Sequence, residues 1–346
     1  MQRQDYDLPY MLKYEHVAWF EGGEVKILDR RIYPKEISFV TCKSYKDVAK
    51  AIADMVTQSA GPYTAAGMGM ALAAYEGRNL DHSEQIKLLE KASNEIATAR
   101  PTTENRMRKI TENSLEVGKK AIKEGKDPAK AIKDNTINSL NRRYSTMEIV
   151  GKNLCSLIKD GDKVLTQCFG ETIIGMMLRI LKNQGKNVKF YCAETRPYYQ
   201  GARLTATCCS EMGFDTTVVT DNAIAYLMEY EGIDIFTSAA DTICRDGYVA
   251  NKIGTYQIAL LCDHFSIPYY VTGIPDDDKY SKDDIKIEIK DPNLVLEGRT
   301  YENVKAIYPS FDISPSQYIE KIVTDKGIYN PNELNKYFDG DIKRFY

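Results

Sequence analysis

The chain has 346 residues, 43% hydrophobic and 27% charged, with a formal net charge of −3. That length and balance describe a globular class with one large or two ordinary domains, and the slight negative charge excludes the broad cationic field of a nucleic-acid binder. There is no apolar run of the ~18 residues a membrane span needs, and the start lacks an apolar h-region, so neither a membrane span nor a secretory signal is expected.

Eight cysteines without a Cys-x-x-Cys pair, and three scattered histidines, suit neither a disulfide scaffold nor a metal site. A reduced, cytoplasmic, metal-free protein is expected.

In chain order, the first pattern is a hairpin. Val17–Phe20 and Val25–Leu28 are β-type runs separated by Glu21-Gly22-Gly23-Glu24. Trp19 reads as packing. A helix follows from Ser44, its cap, with Val48, Ile52, Met55 and Val56 along one face. The stretch 65–74 is dense in small residues, which suits a closely packed helix. The preceding Gly61-Pro62-Tyr63-Thr64 equally suits a turn whose exposed backbone N–H groups face a phosphate.

Helical patterns continue over 82–99, 103–123 and 128–136. Pro101 breaks the run after Arg100, with Thr102 or Thr103 as the next cap, and Arg100 is either solvated or a planar fork for phosphate. The polar segment 138–145 reads as a linker or as the start of a helix running from Met147 to Ile158. The expected division is a hairpin-and-helix domain over 1–145 and a second domain over 146–346.

Beyond that point the period changes. Strands are expected at 163–166, 188–191, 216–219, 233–236 and 268–271, alternating with helices at 171–183, 200–212, 221–230 and 254–265. Such alternation predicts an α/β, Rossmann-like doubly wound parallel sheet. Gly185 and Gly213 stand where helix C-caps belong, and 317–324 reads as a helix in the tail. No Gly-x-Gly-x-x-Gly or P-loop pattern is present, which disfavours a dinucleotide or nucleotide site.

Reactive side chains fall just after these strands, at the rim where open α/β sheets bind ligands. Cys168 precedes a helix whose N-terminus favours the thiolate; alone it reads equally as an inert buried thiol. Asp241 is placed as a general acid or as a turn cap. Glu194 and Arg196 form a local ion pair or face a ligand, and Arg203 faces solvent or a ligand. Gln200 is positioned for sugar hydroxyls, and Lys252, after Asn251, adds positive charge where an anion lies.

Glu194-Thr-Arg-Pro-x-x-Gln-Gly-Ala-Arg-Leu-Thr-Ala206 and Val249-Ala-Asn-Lys-Ile-Gly-Thr-Tyr256 resemble the methylthioribose-1-phosphate isomerase family. Ala99–Thr102, Thr220–Asn222 and Phe311–Pro315 fit as well, so the likeness spans nearly the whole chain. The superfamily includes ribose-1,5-bisphosphate isomerase and regulatory subunits of translation initiation factor 2B. The resemblance implies a homodimer of methionine salvage that converts a 1-phosphorylated aldose to a ketose phosphate without metal or cofactor. Cys168 then falls on the catalytic cysteine and Asp241 on the proton donor. Gly61, Pro62, Tyr63, Arg100, Gln200, Asn251 and Lys252 are the substrate-binding expectations.

The expected substrate is 5-methylthioribose 1-phosphate or 5-deoxyribose 1-phosphate. A ribose-1,5-bisphosphate isomerase and a non-catalytic regulatory subunit are the alternatives. Three stretches depart from the family pattern. Ser59-Ala-Gly-Pro62 stands for Arg-Gly-Ala-Pro, Ala239-Ala-Asp-Thr242 for Gly-Ala-Asp-Arg, and Phe169-Gly170 for an Asn-containing turn.

Overall fold

A computed structural model describes residues 3–100 and 104–339, in two compact units that divide between Ser145 and Thr146. In the first unit, a short helix α1 (Tyr14–Val17) leads into strands β1 (Trp19–Glu21) and β2 (Glu24–Leu28). These pair antiparallel over Gly22 and Gly23, whose φ of +59° and +84° are what a two-residue hairpin turn demands. A third strand, β3 (Phe39–Cys42), pairs with β2 and was not anticipated.

Helix α2 (Tyr45–Ala53) starts at Ser44 as expected. The Ser44 hydroxyl accepts from the Asp47 N–H at 3.2 Å, and the Asp47 carboxylate accepts from the Ser44 N–H at 2.9 Å. Met55 and Val56 lie beyond its end, Met55 with φ +60°. Helix α3 (Gly61–Glu76) is buried over Gly61–Ala74, so the small side chains serve close packing.

Helices α4 (His82–Ala97), α5 (Glu104–Lys123) and α6 (Pro128–Cys155) follow. The expected cap at Thr102 or Thr103 lies outside the described residues. Helix α6 is continuous through 138–145, where a linker or the start of a separate helix was expected. No proline or glycine interrupts it before Gly151, and its polar residues are anchored rather than solvated. The Tyr14 hydroxyl donates to Asn141 Oδ1 at 2.8 Å, and the Tyr144 hydroxyl donates to the Leu12 carbonyl at 2.9 Å. Tertiary anchoring overrides the weak helix propensity of Asn and Ser.

The second unit alternates strand and helix: β4 (Lys163–Thr166), α7 (Glu171–Asn183), β5 (Lys189–Ala193), α8 (Ala206–Glu211) and β6 (Asp215–Val219). It continues with α9 (Ile224–Tyr226), β7 (Ile235–Ala239), β8 (Thr242–Ile243), β9 (Val249–Lys252), α10 (Thr255–Phe265) and β10 (Tyr269–Thr272). Then come α11 (Asn293–Leu296), β11 (Phe311–Ser314), β12 (Lys321–Val323) and β13 (Ile328–Tyr329). Seven strands form one sheet in the order β13-β12-β10-β7-β4-β5-β6, parallel except at β12–β13. Leu165, Phe236, Val271 and Ile322 fill its centre, fully buried. This is the doubly wound α/β class.

The tail differs from expectation. Residues 321–323 are a strand parallel to β10, because the β-branched Ile322 and Val323 extend a buried sheet instead of ending on a surface helix. A second, antiparallel sheet of order β11-β9-β8 was also not foreseen.

One topological fact places the site. From β4 the chain builds outward through β5 and β6 on one side, then returns to lay β7 against the other side of β4. The order reverses between β4 and β7, the switch point at whose carboxyl-end crevice open α/β sheets bind ligands. Cys168 follows β4 and Asp241 follows β7. Their strands run in register, Thr166 beside Thr237.

Candidate active site

Cys168 has a left-handed backbone, φ +61°, an uncommon state for a residue with a Cβ and one that clusters at functional sites. It is held from both sides. Its N–H donates to Thr195 Oγ1 at 3.0 Å, and its carbonyl accepts from the Thr205 hydroxyl at 2.5 Å. The residue is partly exposed while its thiol is enclosed. Burial pushes the thiol up to about 11; Lys252 and the Phe169 N–H oppose the rise, and Asp241 and Asp221 add to it. A neutral thiol is therefore the resting form. The thiolate expected from the helix N-terminus is outweighed by desolvation.

Thr195 is left-handed as well, φ +65°, which is unusual for a β-branched residue. The Asp221 carboxylate fixes it, accepting from the N–H groups of Thr195 and Arg196, each at 2.8 Å. The Thr195 hydroxyl donates to the Ala193 carbonyl at 3.0 Å while accepting from Cys168.

A π-helix over Gly201–Thr205 follows the turn, a feature often found at functional sites. At Gly201 only glycine fits, since a Cβ there would stand 1.8 Å from the Ala193 carbonyl oxygen. Gln200, next to it, is buried, and its Oε1 has no hydrogen-bond partner among the described residues. Arg203 folds back, donating to the Tyr198 carbonyl through Nε at 3.0 Å and Nη2 at 2.7 Å. Arg196 pairs with Glu297 at 2.9 Å, so the local pairing with Glu194 is not the one formed.

On the other side of the crevice, the Asp241 N–H donates to the Ala250 carbonyl at 2.9 Å, tying the end of β7 to β9. Its side chain lies on an exposed residue. Asn251 is buried, its Nδ2 donating to Thr255 Oγ1 at 3.1 Å. Lys252 is partly exposed, with Nζ 4.9 Å from the Phe311 ring centroid. Behind them the Asp312 carboxylate accepts from the N–H groups of Gly254 at 2.7 Å and Tyr256 at 3.0 Å, and burial pushes it up to about 6. Lys252 and Asp241 both act electrostatically on Cys168.

Gly61, Pro62, Tyr63 and Arg100 belong to the first unit. Gly61–Tyr63 form the buried first turn of α3. The Gly61 N–H donates to the Gln58 carbonyl at 3.1 Å, and the Tyr63 N–H to Ala60 at 3.2 Å. Of the two readings of this stretch, the closely packed helix is the one its burial matches, and the Gly61 and Tyr63 N–H groups are bonded within the unit. Arg30, fully buried, supports this loop from behind, Nη1 donating to the Gln58 carbonyl at 2.7 Å. Arg100 is partly exposed in a bend after α4.

Residues 58–331 match the model of the initiation factor 2 subunit family. The chain belongs to that family. It is 34% identical over 342 residues to a methylthioribose-1-phosphate isomerase of Thermosipho africanus, covering 94% of this chain and 97% of the relative. Among solved structures it resembles 5-methylthioribose 1-phosphate isomerase from Pyrococcus horikoshii, with TM-score 0.81, 28% identity and coverage of 95% and 97% of the two chains. It also resembles translation initiation factor eIF-2B, subunit delta, from A. fulgidus, with TM-score 0.80, 27% identity and coverage of 91% and 96%.

In this family member the supporting residues Thr195, Thr205, Asp221 and Asp312 carry roles that the sequence reading did not assign. Thr220-Asp-Asn222 and Phe311-Asp-Ile were noticed only as matching stretches. A threonine or aspartate that acts through a backbone N–H leaves no spacing signal, because its partner lies on a different strand.

Proposed function

We propose that the chain is an aldose–ketose isomerase acting on a 5-substituted ribose 1-phosphate, foremost 5-methylthioribose 1-phosphate, with 5-deoxyribose 1-phosphate as its near analogue. The observation that carries the reading is the placement of Cys168 and Asp241 just beyond the carboxyl ends of two adjacent parallel strands, either side of the point where the strand order reverses. The Thermosipho africanus and Pyrococcus horikoshii proteins, by their names, isomerise that substrate.

Phosphate on C1 locks the sugar as a ring. Asp241 gives a proton to the ring oxygen as the C1–oxygen bond breaks; a bound sugar covers this carboxyl, and the loss of water favours its protonated, donating form. The C2 proton then leaves to the thiolate form of Cys168, which becomes the thiol, and its electron pair forms a C1–C2 double bond. A proton returns to C1 while the C2 hydroxyl gives up its own, leaving the ketone. One hydrogen has moved from C2 to C1, with no net oxidation. Lys252 holds negative charge at the same rim and favours the thiolate form of Cys168.

A hydride shift from C2 to C1 needs no thiolate, and the raised Cys168 thiol favours considering it. Substrate deuterated at C2 decides: loss of label to solvent supports proton transfer, and full retention supports the shift. The function itself is tested by assaying sugar 1-phosphates for ketose formation. Turnover that Cys168→Ser and Asp241→Asn abolish supports it; no ketose from any of them refutes it and leaves a regulatory subunit, the reading favoured by the likeness to the A. fulgidus protein.

A cytoplasmic homodimer belongs to the same proposal. Exposed Tyr226 and Tyr230, ring centroids 4.9 Å apart, are the kind of apolar surface a subunit contact covers. Light scattering at the mass of one chain refutes the dimer.

A further inference from the structure

Tyr308 immediately precedes the strand that carries Phe311 and Asp312 against Lys252 and Asn251. Its position is fixed by the backbone: the Lys290 N–H donates to its carbonyl at 2.8 Å, and Pro309 bridges to Ile289. The ring lies 6.4 Å from that of Tyr198, in the turn between the left-handed Thr195 and Gln200. The residue is 3% exposed, yet its hydroxyl has no hydrogen-bond partner among the described residues. Burial holds the phenol far above its ordinary range, with Tyr198, Cys168 and Glu288 adding to the rise, so it is a donor at any working pH.

A buried polar group without a partner is costly to keep, and orphaned groups of this kind mark ligand contacts or strain. Gln200, two residues beyond Tyr198 in the chain, carries a second such atom: its Oε1 is buried without a partner among the described residues. One of these atoms is a donor and the other an acceptor, the pair that a sugar hydroxyl satisfies by accepting from the first and donating to the second. We propose that the Tyr308 hydroxyl is a substrate-binding donor, giving its hydrogen bond to the sugar oxygen on C2, beside the carbon whose proton Cys168 takes. As that oxygen passes from hydroxyl to carbonyl, the donor favours the developing ketone without itself being consumed.

This inference rests on the proposed isomerase, and the experiment separates the two. Ketose formation is measured for the full chain, wild type and Tyr308→Phe, with kcat and KM determined separately and thermal unfolding followed in parallel. The expected result is a kcat about 10- to 100-fold lower, KM changed less than about threefold, and a melting temperature unchanged or raised, since the substitution breaks no internal hydrogen bond. Tyr308→His, which restores a donor, recovers part of the lost kcat. An active wild type with an equally active Tyr308→Phe overturns this inference and leaves the isomerase standing. Loss of the folded state in Tyr308→Phe also overturns it, by making the hydroxyl structural. An inactive wild type removes both readings.

Discussion

Replacing Lys252 with Met tests the electrostatics of the crevice at their source. Burial raises the Cys168 thiol to about 11 from its ordinary value near 9, and Lys252 is the foremost group working against that rise. Two units correspond to roughly 3 kcal/mol against the anion, and at pH 7 only about one thiol in ten thousand is ionised. Loss of a nearby opposite charge shifts a pKa by about 1 unit or more, so Lys252→Met should lower the thiolate population at least about tenfold. Alkylation by iodoacetamide, followed by intact mass against pH, reads this directly. Peptide mapping assigns the rate to Cys168, the cysteine that is partly exposed as a residue where the other seven are buried. The wild-type rate should climb through pH 9 without a plateau, and the Lys252→Met rate should lie below it at every pH up to 9. A wild-type plateau below pH 9, or a variant that reacts as fast as wild type, refutes the reasoning.

Asp241→Asn should lower kcat by about 10²–10⁴, the span of a lost general acid; because the residue is exposed, urea unfolding should move little. Gly201→Ala sets a methyl against the Ala193 carbonyl and should destabilise by about 1–3 kcal/mol or more by urea titration. Asp312, raised to about 6 in the folded chain, favours the native state while protonated. That contribution is complete below its unfolded value near 4 and is lost as pH rises through 6, a fall of about 3 kcal/mol at most. Asp312→Asn should flatten the stability profile across this window; an unchanged slope would show that another group carries it.

Much of the architecture was legible because it repeats. Runs such as Lys163–Thr166 and Thr216–Val219 alternate with helical stretches closely enough to require a parallel sheet, and Ser44 announces its helix by a capping pattern contained within four residues. What escaped depends on partners distant in sequence. Helix α6 runs through a polar stretch because Tyr14, more than a hundred residues earlier, bonds Asn141. Residues 321–323 become a strand because β10 offers them an edge.

The site divides in the same way. Cys168, Asp241 and Lys252 stood out by residue type at strand ends, whereas the protonation of the thiol is a property of what encloses it. The stretch at the start of α3 reads equally as a packed helix and as an anion-facing turn, and its Gly61 and Tyr63 N–H groups bond the Gln58 and Ala60 carbonyls.

The Asp221 clamp has a wider consequence. A loop whose shape is dictated by one carboxylate gripping two successive amides has little freedom to remodel itself around a newcomer. Discrimination among related sugars then falls to the interchangeable side chains mounted on a rigid frame. On the proposed site, redirecting preference becomes a matter of exchanging Tyr198 or Tyr308 while the frame is left intact.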